Sequence, residues 1–186
     1  MKRGLDIVGG LAGLVLLSPL LLGLAALVRL ESPGPALHWS RRVGKGNRIF
    51  AMPKFRTMRT GAPDVATHLL DTPDRWVTPL GGFLRRTSLD ELPQLWSVLK
   101  GDMSLVGPRP ALFNQDDLVA LRTQAGVDAL RPGLTGWAQI NGRDELPIPE
   151  KARLDREYLE RMSLAFDLRI LAVTAVRAVS GHGVTH

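Results

Sequence analysis

The chain has 186 residues, a formal net charge of +6 and no cysteine. Disulfides and thiolate zinc sites are thereby excluded, and His38, His68, His182 and His186 are scattered without metal-ligand spacing. The length fits one compact domain plus one added element. The basic balance leaves nucleic acid, an anionic membrane surface or phosphorylated small molecules as partners.

Ile7 to Val28 carries no charged residue. A straight helix of this length reaches about 33 Å, enough for a bilayer core of about 30 Å. A single transmembrane span is the simple reading. Ser18 and Pro19 stand at its middle, however. Proline removes a backbone bond there and clashes with the preceding turn, so the helix kinks or breaks. Each arm is then about 16 Å long, too short to cross. Lys2, Arg3 and Arg29 flank the segment, as expected when both ends stay in the cytoplasm. On these grounds a span and a re-entrant hairpin stand side by side. A cleaved signal peptide is not expected, because no Ala-x-Ala site precedes Arg29 and a basic, cysteine-free domain follows.

Glu31 to Pro35 is a cluster of helix breakers and marks a boundary. Leu37 to Val43 and Arg48 to Met58 pair as a β-hairpin around Gly44–Asn47. Arg41, Arg42, Lys45, Arg48, Lys54, Arg56 and Arg59 make it basic. A solvated face accounts for such charge, and so do nearby anionic headgroups, at roughly 1 kcal/mol each. Lys54 and Arg56 are two apart and share one face of a strand, where they could hold a diphosphate. Pro53 predicts an edge strand or a bulge. Phe50 and Phe55 stand among the cations but do not interleave them in the way single-strand binders need, which sets nucleic acid aside. Gly61 to Asp74 reads as a polar loop.

Thr87 to Pro110 is the most informative stretch. Ser88-Leu89-Asp90-Glu91 has the form of a capping box. Leu92, Leu95, Trp96 and Leu99 repeat at helical spacing, and Gly101 predicts the stop. Pro93 disfavours Ser88 as cap; with Asp90 as cap, proline falls in the tolerant first turn. Gly107-Pro108-Arg109-Pro110 presents a guanidinium on a stiff backbone. Asp90 and Glu91 as caps, with Arg109 in a turn, is the plain reading. A carboxylate nucleophile or metal ligand working on a phosphate also suits a helix start.

Leu112 to Leu130 reads as a helix, and Arg131-Pro132-Gly133 as a turn. Gly133, Gly136 and Gly142 allow close approach of backbone to a ligand. Trp137 fits either a ligand contact or a membrane interface. Leu154, Tyr158, Leu159 and Met162 line one helical face. Leu168 to Val179 forms a second helix, too short to span, that packs in the core or lies in the interface. Ser180 to His186 reads as a loose tail.

Several motifs recur in order: Lys54-Phe55-Arg56-Thr57-Met58, Thr78-Pro79-Leu80-Gly81, Phe83-Leu84-Arg85, the Thr87–Pro110 stretch, and Arg131-Pro132-Gly133-Leu134-Thr135-Gly136-Trp137-Ala138-Gln139. Together they resemble the bacterial sugar transferases, the monotopic phosphoglycosyl transferases, over the whole chain. The usual glutamine near Trp39-Ser40 is absent. The resemblance implies an α+β, mostly helical fold. Residues 1–30 would form a re-entrant membrane hairpin broken at Ser18-Pro19, and residues 31–186 the catalytic domain.

The resemblance also implies the reaction. A sugar 1-phosphate passes from a UDP-sugar to polyprenol phosphate, undecaprenyl phosphate in bacteria, leaving UMP. Asp90 is the implied nucleophile and Glu91 the implied ligand of Mg²⁺, which typically binds one or two carboxylates plus substrate phosphates. Lys54, Arg56, Arg85 and Arg109 are the implied diphosphate ligands. The implied setting is the cytoplasmic face of the bacterial inner membrane, among anionic lipids. Ala111–Gln115 and Asn141–Pro147 resemble members acting on N-acetylated amino-sugars, which is too weak a guide to name the sugar. Oligomeric state is left open. The non-enzymatic alternative is a membrane-tethered basic binding or scaffold protein.

Overall fold

The computed structural model describes residues 2–62, 73–142 and 146–180. Most of the expected Gly61–Asp74 loop, the centre of Asn141–Pro147 and the tail beyond Ser180 lie outside the described residues. The elements are α1 (Lys2–Glu31), β1 (Leu37–Val43), β2 (Ile49–Phe55), α2 (Pro73–Trp76), α3 (Pro79–Arg86), α4 (Leu95–Lys100), β3 (Ser104–Val106), α5 (Asp116–Gln124), β4 (Gly133–Thr135), α6 (Trp137–Ile140), α7 (Ile148–Arg161) and α8 (Leu164–Ser180). The fold is mostly helical with two small sheets, in line with the α+β expectation.

Helical residues continue through Pro19. Proline has no N–H to offer the carbonyl four residues back, that of Val15. The Ser18 hydroxyl donates to that oxygen instead, at 2.8 Å. The interruption expected at Ser18-Pro19 is thus bridged by a side chain.

Both arms of α1 pack on the rest of the chain. In the first arm, Gly9, Gly10 and Gly13 face Leu105, Leu99 and Leu95. A Cβ at Gly10 or Gly13 would lie 3.0 Å from a leucine methyl. In the second arm, Leu24 and Val28 pack with Phe55 and Leu84. Leu11, Val15, Leu16, Leu20, Leu22 and Leu27 remain exposed. By length and composition α1 could cross a bilayer.

Charged residues at the start of α1 act as bolts. Lys2 Nζ lies 2.7 Å from Asp167 on α8. Arg3 donates to the carbonyls of Val98 and Leu99 at 2.6 and 2.7 Å, at the end of α4. Asp6 accepts from Ser104 Oγ and Leu105 N, each at 2.9 Å. Sequence reading takes these groups as membrane flanks; here they fasten the helix.

The β1–β2 hairpin forms as expected, with Leu37 opposite Phe55 and Val43 opposite Ile49. A two-stranded sheet has only edges, which accommodates Pro53. β3 and β4 pair in parallel through Ser104–Gly133 and Val106–Thr135. Gly133 and Gly136 serve this pairing: a Cβ on either would meet Gly107 backbone at 2.1 or 2.0 Å. The close approach is backbone to backbone.

Three expected helices change. Leu112–Leu130 contains only α5 and a short 3-10 turn at Val127–Ala129. α7 ends at Arg161, which leaves Met162 exposed. α8 begins four residues earlier than expected, where Ser163 Oγ accepts from Phe166 N at 3.2 Å. Its Phe166 and Ile170 enter the core with Val98, Met103, Val106 and Tyr158. Leu168 and Val176 face outward, so one face of α8 belongs to the core and the other exposes apolar side chains together with Arg169.

Candidate active site

The site is built where α3 leaves β2. Thr78 caps α3, its hydroxyl accepting from Gly81 N at 3.0 Å. A Cβ on Gly81 would lie 2.1 Å from the Thr57 carbonyl, so α3 seats directly on the chain beyond β2. That seating brings Arg85 Nε within 2.8 Å of Thr57 Oγ1.

α3 ends and the chain reverses at Ser88, with φ 56° and ψ 17°. A left-handed serine is uncommon and mildly strained. Its side chain makes no capping bond, so the expected capping box does not form. Leu89–Gln94 is a 3-10 turn with Pro93 inside, and α4 starts only at Leu95. Three residues per turn before α4 rotate the expected apolar stripe. Leu95 is buried while Trp96 is 55 % exposed. Gly101 stops α4 at φ 99°, as expected.

This turn places Asp90 and Glu91 side by side beneath β2. Asp90 is 7 % exposed. Glu91 Oε1 lies 3.6 Å from Lys54 Nζ. Arg109 grips the same carboxylate with two bonds, of 3.0 and 3.4 Å.

The two acids differ electrostatically. Burial raises the Asp90 carboxyl and the adjacent Glu91 charge adds to this, while Lys54, Arg85 and Arg109 pull the other way. Burial also works to raise Glu91, but Arg109, Lys54 and Arg42 outweigh it and bring its pKa to about 2. Burial lowers the Lys54 ammonium, with Glu91 opposing. The Arg85 guanidinium is likewise lowered by burial, with Asp90 opposing. One carboxyl is therefore firmly ionised and its neighbour more basic than usual. Four cations surround two carboxylates, which suits a ligand that brings further negative charge.

Among the expected phosphate ligands, Lys54, Arg85 and Arg109 converge here and Arg56 does not. β2 ends at Phe55, so strand alternation no longer governs Arg56. Its guanidinium is buried at the end of α1, donating to the carbonyls of Pro33 at 2.5 Å, Ser32 at 2.6 Å and Val28 at 3.3 Å. Trp137 packs against Phe166, ring centroids 5.0 Å apart, and lies half-buried at the edge of the core.

Sequence reading misses three contributors. Arg42 donates to Pro110 O at 3.2 Å and acts electrostatically on Glu91 and Lys54. Thr57 orients Arg85. Arg122 holds the Arg109 carbonyl at 2.8 Å. The crowding of cations in the hairpin hints at Arg42 and the Lys54–Met58 motif contains Thr57; Arg122 carries no local pattern.

A strained turn, a buried Asp90 beside a half-buried Glu91 and a wall of cations lie next to a helix long and apolar enough, by length and composition, to cross a membrane. The profile described as Bacterial sugar transferase matches residues 1–181, and the chain belongs to that family. It is 43% identical over 169 residues to a UDP-glucose:undecaprenyl-phosphate glucose-1-phosphate transferase of Xanthomonas campestris pv. campestris, covering 87% of this chain and 35% of that protein. It is 38% identical to a UDP-N-acetylgalactosamine-undecaprenyl-phosphate N-acetylgalactosaminephosphotransferase of Aeromonas hydrophila, covering 98% of this chain and 44% of that one. The exopolysaccharide production protein PSS of Rhizobium leguminosarum bv. phaseoli is 40% identical, with 95% of this chain and 94% of PSS covered. The chain thus spans less than half the length of the first two relatives.

Proposed function

We propose that this chain transfers a sugar 1-phosphate from a UDP-sugar to polyprenol phosphate, undecaprenyl phosphate in bacteria, and so begins a surface glycan. The observation that carries the reading is Asp90. It is a buried carboxylate of raised basicity, walled by Lys54, Arg85 and Arg109 and placed next to a carboxylate that stays ionised. The relatives' printed names support both substrate classes.

The chemistry divides into two displacements. An Asp90 oxygen attacks the β-phosphorus of the donor, and the bond from that phosphorus to the bridging oxygen breaks. UMP leaves with the electron pair, and the sugar phosphate stays on Asp90 as an acyl phosphate. A phosphate oxygen of the polyprenol then attacks the same phosphorus. Polyprenyl-diphosphate-sugar departs and the Asp90 carboxylate is restored. Lys54, Arg85 and Arg109 bind the diphosphate oxygens; a guanidinium does so with two parallel bonds.

Mg²⁺ suits this donor set. Among the described residues no three His, Cys, Asp or Glu side chains cluster, and Mg²⁺ commonly takes one or two carboxylates and completes its shell with water and phosphate. Glu91 would hold it beside Asp90, and the ion would neutralise charge on the phosphate oxygens. For that, Glu91 must leave Arg109. A diphosphate would offer Arg109 and Lys54 an anion in place of Glu91, which would free Glu91 for the ion.

Two sets of contacts support a re-entrant α1. Lys2 is tied to Asp167 on α8, and Val28 O and Ser32 O to Arg56. If α1 spanned a bilayer core of about 30 Å, the single body that fastens both of its ends would have to lie on both sides of the membrane. Ser18 and Pro19 are then the deepest point, and the site faces the cytoplasm, where nucleotide sugars are made. Exposed Trp96 and the outer face of α8 suit the same interface.

The test is to mix purified chain, Mg²⁺ and a panel of UDP-sugars without acceptor. Release of UMP with a phosphosugar adduct on Asp90 is the expected result. Binding without UMP release leaves the tethered binding protein as the answer.

A further inference from the structure

The Pro108-Arg109-Pro110 loop is held by its carbonyls. Prolines contribute no N–H, so Pro108 and Pro110 give the loop no donors of their own. The three consecutive oxygens each accept a bond from a different part of the chain. Gly133 N donates to Pro108 O at 2.8 Å. Arg42 Nη1 donates to Pro110 O at 3.2 Å. Arg122 Nη1 donates to Arg109 O, the middle one, at 2.8 Å.

Arg122 is itself fixed. Its Nε and Nη2 both meet Asp155 Oδ2, at 2.9 and 2.6 Å, linking α5 to α7. Arg122 is 9 % exposed and Asp155 1 %. A buried ion pair is a weak source of net stability, because both charges lose their water. What the pair supplies here is a donor of fixed position. The planar fork directs two N–H groups to Asp155 and a third to Arg109 O. A lysine ammonium, a compact point charge on a flexible stem, has no such fork.

We infer that Arg122, locked by Asp155, is a positioning residue for the reaction: it sets the backbone of Arg109 and thereby aims the guanidinium that meets the donor diphosphate. This rests on the transferase reading above. No α5 or α7 residue is among the proposed substrate ligands, yet through Arg122 and Asp155 these helices control the reach of one that is, Arg109. Misplacement by ~1 Å at a distance from the chemistry can cost about 100-fold in rate.

The experiment is a double-mutant cycle on the full chain in detergent with Mg²⁺, using Arg122→Lys, Arg109→Lys and their combination. UMP release gives kcat/KM for the donor, measured below the melting temperature of every variant. Arg122→Lys is expected to lower kcat/KM about ten- to hundredfold in the otherwise wild-type chain. In the Arg109→Lys background it is expected to change kcat/KM less than about twofold, because coupled residues do not add. Losses that multiply mean that Arg122 only packs, and they overturn the inference. So does a normal Arg122→Lys enzyme.

If Arg122→Lys does not fold, the paired exchange Arg122→Gln with Asp155→Asn, which buries no unpaired charge, enters the same cycle. The cycle is also read without turnover, as the rise in melting temperature given by UDP. A wild-type chain that releases no UMP overturns the transferase reading. An additive cycle in UDP binding overturns the positioning role separately.

Discussion

Glu91 and Arg109 are joined by a two-bond grip of 3.0 and 3.4 Å. The carboxylate thus occupies the fork that a diphosphate would fill. Lysine cannot reproduce two parallel bonds. Arg109→Lys is expected to fold normally and to lose at least tenfold in kcat/KM for the donor, by roughly the strength of one charge-assisted bond. Steady-state UMP release checks this; near-normal kinetics would return Arg109 to the status of a turn residue.

Glu91 and Asp90 have opposite pH signatures. Glu91 is depressed from 4.5 to about 2. Its contribution to stability is present above the ordinary value and is lost as pH falls through that window, on the order of 2–3 kcal/mol. Glu91→Gln should therefore melt lower than wild type at neutral pH and show little of that acid-range loss. It should also need more Mg²⁺ for the first step. Melting curves against pH, and UMP release against Mg²⁺, separate the two effects.

Asp90 is raised, chiefly by burial. Its charged form is disfavoured in the fold, so its contribution to stability is greatest below the ordinary carboxylate pKa and declines as pH rises through the folded one. Asp90→Asn is expected to melt at or above the wild-type temperature at neutral pH while forming no adduct. In wild type the acid limb of the first step should lie above the ordinary aspartate value, because attack needs the ionised carboxylate. Intact-protein mass spectrometry after incubation with donor alone decides the adduct. An adduct on Glu91, or one that survives in Asp90→Asn, refutes the assignment.

Arg56 closes the end of α1 through three carbonyls. Arg56→Gln is expected to cost roughly 1–3 kcal/mol of stability and to leave the donor KM unchanged at temperatures where it is folded. A raised KM with unchanged melting would restore Arg56 to the phosphate site.

Single cysteines near residues 3 and 32 should react with an impermeant reagent only from the cytoplasmic side. Labelling of either from outside rejects the re-entrant arrangement. Replacing Pro19 by leucine removes a penalty of about 3 kcal/mol against a regular helix, and this should favour a spanning form in the same assay.

Legibility in the sequence followed locality. The hairpin, the Gly101 stop and the Asp90, Glu91 and Arg109 group were visible because turn chemistry and motif spacing act over a few residues. The capping box was misread because Ser88 turns left-handed and Pro93 favours a tighter turn, so stripe and cap fall out of phase. Arg56 lies apart from the other cations because its acceptors are main-chain carbonyls, which no side-chain pattern marks. The roles of Lys2, Arg3 and Asp6 were hidden for another reason. Their partners lie about a hundred residues or more along the chain.

Those distant bolts set the order of folding. α1 is synthesised before Ser104 and Asp167, which hold it and emerge from the ribosome about a hundred residues or more later. Contacts so far apart in sequence form late, after a large loss of loop entropy. The apolar helix therefore waits without these partners while the intervening residues are made, and its exposed leucines and valines need other apolar cover during that interval.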